Sequence, residues 1–207
     1  GVTRLFQSQH PMLRRMMYLF IKEVVEATAA EEVIIVTSSL TKDVNSKTDL
    51  FRANALRVLC KIIDGNMLGQ IDRYIRQAIV DKDSMVSSSA IVSGHHLLNE
   101  NTEIVRRWAN DVQEAINNES SMVQYHALTL LYRIRQQDRL AVTKLVGKLS
   151  NGRTLHSPLA TCMLIRYTSK LLQGEMSAKD ATQAYRFLTT CLKERDEMVL
   201  FEAARAI

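Results

Sequence analysis

Short polar breaks divide the 207-residue chain into apolar-periodic runs of helix length, and this regular spacing constrains the fold more than any other feature. No run alternates apolar and polar residues as a half-buried strand does. Proline and glycine occur only two and seven times, too few for the many turns of a β-sandwich. The pattern predicts an all-α protein whose helices are separated near residues 8–10, 29–30, 46–47, 64–66, 81–83, 99–101, 117–120, 136–138, 150–152, 173–177 and 194–196.

The second helix of each predicted pair carries a large apolar residue and, four positions later, an alanine. The copies are Phe51 with Ala55, Val86 with Ala90, Val123 with Ala127, and Val199 with Ala203. A further copy is expected near residues 158–163, where Ala160 and Cys162 are small, and Leu13 with Met17 fits loosely. A small residue lets neighbouring helices approach closely.

The alanines are separated by 35, 37 and 76 residues, the last being twice 38. A period of this length is typical of HEAT- or armadillo-like helix pairs, which bury their apolar faces only by stacking on neighbouring pairs. We predict a single α-solenoid over residues 1–207, a fragment of a longer domain.

Four residues carry more local expectations. Pro11 and Pro158 each stand where the first turn of a helix begins, and Ser157 is a plausible N-cap for the second of these helices. Trp108, the only tryptophan, lies within a helical run and is expected in the core.

No constellation of residues supports catalysis. The sequence contains no HExxH motif, no cysteine–histidine cluster with zinc spacing and no glycine-rich phosphate loop. Ser39 and Lys42 match an SxxK spacing, but the partner motifs of a serine acyl-enzyme are absent. The three cysteines, each in an apolar helical context, are expected to be buried free thiols. We therefore predict a non-enzyme without a cofactor or metal.

Positive charge is concentrated in residues 121–172, which contain eight lysines or arginines against the single acid Asp138, a net charge of +7. Such a surface favours an acidic membrane, an acidic protein or nucleic acid, or it is simply a solvated face. The tyrosines of this segment lie in packing helices, which argues against nucleic acid. The candidates for contact with a membrane or an acidic partner are Arg133, Arg135, Arg139, Lys144 and Lys148.

One helix, predicted within residues 31–44, departs from a simple amphipathic pattern. Val33, Leu40 and Val44 share one face with Val36 and Thr37, whereas Ile34 and Ile35 fall on its side or back. Two interpretations remain open. The isoleucines are buried between neighbouring repeats, or they form an exposed apolar docking site for a partner protein.

Several segments resemble the gamma subunits of the coatomer vesicle coat, whose trunk is of the adaptin type. The first is LRRMMYL at 13–19, followed by IKE at 21–23. The others keep the family's order and spacing: VIIVTSSLTKD at 33–43, QAIVDK at 77–82, SSSA at 87–90, MVQYHAL at 122–128 and DRLAV at 138–142.

The resemblance implies a cytoplasmic, non-catalytic scaffold, peripheral on Golgi membranes and on the vesicles of Golgi-to-ER and intra-Golgi transport. It implies three kinds of partner: an Arf-family GTPase in its GTP form, the small zeta subunit and the other coat subunits. By similarity to adaptins, the residues expected to contact the GTPase are Val2, Thr3, Ile34 and Ser38, to which the position of Ile35 on the helix adds a fifth.

A rival hypothesis is a helical-repeat module that binds RNA or cargo peptides through the basic surface of residues 121–172. If the ligand is RNA, the chain should bind nucleic acid tightly, and the affinity should fall steeply as the salt concentration rises.

Overall fold

A computed structural model describes residues 2–24, 30–63, 65–151 and 155–207, with side chains for residues 3–24, 33–63, 67–151 and 155–207. These residues form an initial 3-10 helix and twelve α-helices, and no strand lies among them, which confirms the all-α prediction. The 3-10 helix spans Val2–Gln7. The α-helices are α1 (Pro11–Val24), α2 (Ala30–Val44), α3 (Asp49–Ile62), α4 (Gly65–Ile79), α5 (Ser84–Glu100), α6 (Thr102–Arg106), α7 (Ala109–Ala115), α8 (Ser121–Arg135), α9 (Arg139–Asn151), α10 (Pro158–Leu172), α11 (Ala178–Cys191) and α12 (Glu197–Ala206).

The helix ends follow the predicted breaks wherever the breaks lie within the described residues. Residues 29, 64 and 152 fall outside them, as does Arg153, which contributes to the predicted basic surface. Pro11 is the first residue of α1, and the Ser157 hydroxyl accepts a 3.3 Å hydrogen bond from the Ala160 amide at the start of α10. Both start signals are therefore confirmed.

The sequence analysis missed one helix boundary. It predicted a single helix where the structure has two separate helices, α6 and α7. Trp108 lies between them and is fully buried, as expected for a core residue. Its indole N–H donates to the Asp72 carboxylate of α4 at 2.5 Å. Trp108 is thus a core residue that also makes a polar contact with α4, in the preceding helix pair.

The chain divides into two compact units, residues 1–111 and 112–207. In the first unit α3 packs between α1 and α5, α2 packs on α3, α4 packs on α5, and the 3-10 helix packs on α1 and α2. In the second unit α10 packs between α8 and α12, while α9 packs on α10 and α11, and α11 on α12. We call α1, α3, α5, α8, α10 and α12 the stacking helices. The prediction of a single domain over residues 1–207 stays a prediction.

The alanine pattern has a structural explanation in the stacking helices. Ala55, Ala90, Ala127 and Ala203 are each the seventh residue of their helix, and all four are fully buried. The large residue of each pair is the third residue of the same helix, one turn earlier, and is also buried. The small seventh residue lets adjacent stacking helices approach, while the third fills the space beside the contact.

The α10 helix reverses this order, which differs from the expectation for residues 158–163. Its third residue is Ala160 and its seventh is Leu164, and both side chains are fully buried. Cys162, the other small residue expected to continue the pattern, lies between them and is also buried. The same two positions therefore hold one large and one small side chain, but in exchanged places.

Candidate partner-binding surface

The N-terminal half of α2 exposes two adjacent isoleucines. Leu40 and Val44 are buried on the face that packs against α3, whereas Ile34 and Ile35 point to the side and back of the helix. Ile34 is 63% exposed and Ile35 is 55% exposed, and Ser38, one turn after Ile34, is exposed as well. Within the first unit no described helix covers these two side chains, and the docking-site interpretation of α2 stays a prediction.

The other two predicted GTPase contacts lie on the 3-10 helix. Thr3 is exposed, and the side chain of Val2 lies outside those that the structure describes. Because the 3-10 helix packs on α2, the two separate sequence segments chosen for the site belong to contacting elements. We call Thr3, Ile34, Ile35 and Ser38 the α2 surface.

A buried arginine connects the elements beneath the α2 surface, and sequence reasoning did not identify it. Arg14 of α1 is 1% exposed. Its Nη1 donates to the carbonyls of Phe6 and Ser8, and its Nη2 donates to the Tyr18 hydroxyl and the Asp43 carboxylate. The guanidinium carbon lies 4.1 Å from the centre of the Phe51 ring, on α3.

Two groups of this cluster, Arg14 and Tyr18, have shifted pKa values. Burial alone would lower the pKa of Arg14, but hydrogen bonds with Tyr18 and Asp43 outweigh it and raise the pKa above its ordinary value. Burial also raises the pKa of the Tyr18 phenol, which keeps its proton and donates it to Asp43 at 2.7 Å. The network is therefore a cation, a neutral phenol and a carboxylate in mutual contact.

A second exposed apolar surface lies on α1, where sequence reasoning assigned no site. Its members recur at helical spacing along one side: Met12, Leu13, Met16, Leu19 and Phe20, all at least 40% exposed. Phe20 of α1 and Val58 of α3 occupy the same position in successive repeats, 38 residues apart. Val58 is buried within the unit in which α1 packs on α3, whereas Phe20 is exposed. The α1 surface therefore has the character of a helix-stacking face, distinct from the α2 surface.

The five basic candidates of the second unit differ in their surroundings. Arg135 donates to the Gln113 side chain at 3.0 Å, Arg139 donates to the Leu171 carbonyl at 2.7 Å, and Arg133 is partly buried. Lys144 and Lys148 are exposed and lie four residues apart on α9, so they share one helix face. Arg139 is exposed as well, but it is held by its contact with the Leu171 carbonyl.

The aromatic residues near these charges are engaged with each other. The rings of Tyr132 and Tyr167 stack in parallel with centres 3.6 Å apart, and the Lys170 ammonium lies 5.6 Å from the Tyr132 centre. Tyr167 is buried, so its faces do not offer a platform for a nucleobase.

The surroundings of the cysteines disfavour nucleophilic chemistry. Cys60 and His96 both line a groove of about 650 Å³ between the C-terminal halves of α1, α3 and α5. Burial, however, raises the pKa of the Cys60 thiol to about 12 and that of Cys191 to about 11, so neither forms a thiolate near neutral pH. Burial raises the pKa of Cys162 as well.

Two absences hold for the described part of the chain. No group of histidine, cysteine or acidic side chains there has a metal-binding arrangement. None of the helices described is both long and apolar enough to cross a membrane.

The fold and the surfaces together define a class. Helix pairs that stack through a shared pattern of small and large buried residues make this an α-solenoid of the adaptin type. The model of the adaptin N-terminal region matches residues 1–207, and the chain belongs to that family.

The relatives narrow the similarity further. The chain is 58% identical to a protein named coatomer subunit gamma from Arabidopsis thaliana, 54% to a probable coatomer subunit gamma from Caenorhabditis elegans and 52% to coatomer subunit gamma from Drosophila melanogaster. Each alignment covers 100% of this chain and 23% of the relative. The chain thus spans about a quarter of the length of these proteins.

Proposed function

We propose that this chain is part of the gamma subunit of a coatomer vesicle coat and that it acts as a non-catalytic scaffold. Whole-chain identity of 52–58% to proteins of that name supports the assignment. The helix-pair fold supports the mode of action, because stacked helices present extended surfaces to other proteins. The zeta subunit and the other coat subunits are then partners, on the cytoplasmic side of Golgi membranes.

The α2 surface is the proposed site for an Arf-family GTPase in its GTP form. The single observation that carries this proposal is the adjacent exposure of Ile34 and Ile35 on a helix whose other side is packed. Two isoleucines and a hydroxyl offer an apolar contact with a polar edge, the usual composition of a protein interface core and rim. Dependence on GTP would come from the partner, whose switch loops are ordered only while the γ-phosphate is present.

The substitution Ile34→Asp in the full-length protein tests this site. Loss of one buried isoleucine removes about 1.5–3 kcal/mol, which corresponds to a dissociation constant roughly 10–100 times larger. Binding of the GTP-loaded GTPase, measured by titration calorimetry, should weaken by at least that factor. The helical circular dichroism signal should not change, because the side chain is already in solvent.

Leu140→Asp is the matched control, since Leu140 is 65% exposed and lies on α9. It should bind the GTPase as the unmodified protein does. Unchanged binding by Ile34→Asp, or equal weakening by both variants, would refute the site. GDP-loaded GTPase should bind neither variant nor the unmodified protein with appreciable affinity.

Lys144 and Lys148 are proposed to contact anionic lipid when the coat lies on a membrane. Exposed lysines near an anionic surface contribute about 1 kcal/mol each. The double variant Lys144→Glu/Lys148→Glu should therefore co-sediment less with vesicles that contain phosphatidylserine, and equally with neutral vesicles. The control Lys179→Glu/Lys193→Glu makes the same charge change at two other exposed lysines and should sediment normally.

The RNA alternative predicts a different outcome from the same variants. Tight RNA binding that falls steeply with salt and is lost in Lys144→Glu/Lys148→Glu would favour it over lipid contact. The stacking of Tyr132 on Tyr167 argues against it, since those rings already use their faces on each other.

A further inference from the structure

Arg14 contacts three separate segments at once. Its guanidinium reaches the carbonyls of Phe6 and Ser8 in the segment before α1, the Tyr18 hydroxyl on α1 itself, and the Asp43 carboxylate near the end of α2. A planar guanidinium has five N–H donors in fixed directions, so it can satisfy acceptors from several segments only when these hold one relative placement.

Burial makes this placement strict. Only 2% of the Arg14 side chain is exposed, and 15% of that of Asp43. Removing one partner from a buried ion pair leaves the other without compensation, which is strongly unfavourable. A lysine at this position would present a point charge and could not reproduce the fork.

The same arrangement recurs one repeat later. Arg52 is the fourth residue of α3, as Arg14 is of α1, and it donates to the Ser46 carbonyl at 3.1 Å and to the Asp81 carboxylate at 3.2 Å. All three participants lie 38 positions after Arg14, Ser8 and Asp43. The fourth residues of the later stacking helices are uncharged: Ser87, Gln124, Thr161 and Leu200.

The two arginine clusters differ in what they support. Arg52 holds the loop after α2 against α3, whereas Arg14 holds the segment that follows Thr3 against the helix that carries Ile34. The α2 surface is made from these two elements, which are not adjacent in sequence. Its shape therefore depends on whatever fixes the 3-10 helix relative to α2.

We infer that Arg14 is a positioning residue for the α2 surface: by binding Phe6, Ser8 and Asp43 simultaneously it sets the 3-10 helix against α2, so that Thr3 and Ile34 meet a partner as one surface. This inference rests on the proposed GTPase contact. Arg14 itself, buried beneath the surface, does not touch the partner.

The variants Arg14→Gln and Arg52→Gln, made in the full-length protein, form a matched pair because the two arginines occupy the same position of successive repeats. Three quantities are measured for each: the dissociation constant of the GTP-loaded GTPase, the unfolding midpoint, and the hydrogen-exchange rates of the amides of residues 3–8 and 45–49. Arg14→Gln should raise the exchange rate of the amides of residues 3–8. It should also weaken GTPase binding at least about tenfold, a change of roughly 1.4 kcal/mol in binding free energy.

Arg14→Gln and Arg52→Gln should lower the unfolding midpoint to a similar extent. Arg52→Gln should raise exchange in residues 45–49. It should leave both the GTPase affinity and the exchange of residues 3–8 unchanged. Tyr18→Phe provides a milder test that retains the ring and removes only the hydroxyl shared by Arg14 and Asp43. It should shift affinity and exchange in the same direction as Arg14→Gln, by a smaller factor, in a protein that folds normally.

Equal weakening of GTPase binding by Arg14→Gln and Arg52→Gln would overturn the positioning role, because it would show that general destabilisation causes the loss of affinity. Unchanged exchange of residues 3–8 in Arg14→Gln would also overturn it. If the unmodified protein does not bind the GTPase, the proposed function fails, while faster exchange confined to residues 3–8 would still support the placement of the 3-10 helix by Arg14.

Discussion

Exchanging the small and large residues of α10 tests the repeat register that the structure assigns. Leu164 is fully buried at the position where four other stacking helices carry alanine, and Ala160 is fully buried one turn earlier. Leu164→Ala removes three carbon atoms from a packed core, which costs about 3 kcal/mol within the usual range of about 2–5. Ala160→Val adds two carbon atoms where no space is open, which costs roughly 1–2 kcal/mol.

The double variant restores the order that the other stacking helices use. Positions 160 and 164 lie one turn apart on the same face of α10, so the valine can extend into the space that Leu164→Ala leaves empty. We expect the double variant to lose about 1–2 kcal/mol less than the sum of the two single losses, which is the coupling typical of residues in contact.

Urea unfolding of the three variants and the unmodified chain, followed by circular dichroism, measures these free energies. The dependence on urea should keep its slope, since a changed slope would report a different unfolded or native state. Losses that add within about 0.5 kcal/mol would show that the two side chains do not share one space. The register, and with it the account of the alanine pattern, would then be wrong.

Two further predictions concern ionisable groups. Cys60, Cys162 and Cys191 should react slowly with a disulfide reagent at pH 8 in the folded chain and at the rate of free thiols after unfolding, because burial raises the pKa of each. The pKa of Glu202 lies below its ordinary value chiefly because Arg166 donates to its carboxylate at 2.8 and 3.1 Å. This contribution to stability is present above the unfolded-state pKa of about 4.3 and is lost as the pH falls through the lower folded-state value, so acid titration of Arg166→Gln should show a shallower loss than the unmodified chain.

Local signals made much of the fold predictable from the sequence. Pro11, Pro158 and Ser157 act on the backbone within a few residues of themselves, and the structure confirms their roles. The helix pairs were equally predictable from the sequence, because the polar breaks that separate the helices are local features of the chain. The separation of α6 from α7 was not, since no proline or glycine marks it and the buried contact of Trp108 with Asp72 joins residues 36 apart.

The candidate site was predictable only in part, for a related reason. Periodicity could place Ile34 and Ile35 off the main apolar face of α2, but whether a neighbour covers them depends on the packing of other helices. The exposed side of α1 was missed because apolar residues at helical spacing normally indicate a core face.

The arginine clusters show which sequence signal was available and unused. Arg14 and Asp43 are 29 residues apart, so no local pattern connects them, and a charged residue inside an apolar helix is ordinarily assigned to its solvent face. A comparison of the chain with itself, however, aligns Ser8, Arg14 and Asp43 with residues of the same type at a single offset of 38. Three polar residues that keep one offset are hard to explain by surface exposure, because solvent imposes no such spacing. In a helix-pair repeat, an internal offset shared by several polar residues therefore indicates that their side chains meet, and for Arg14 it predicts a buried charge from the sequence alone.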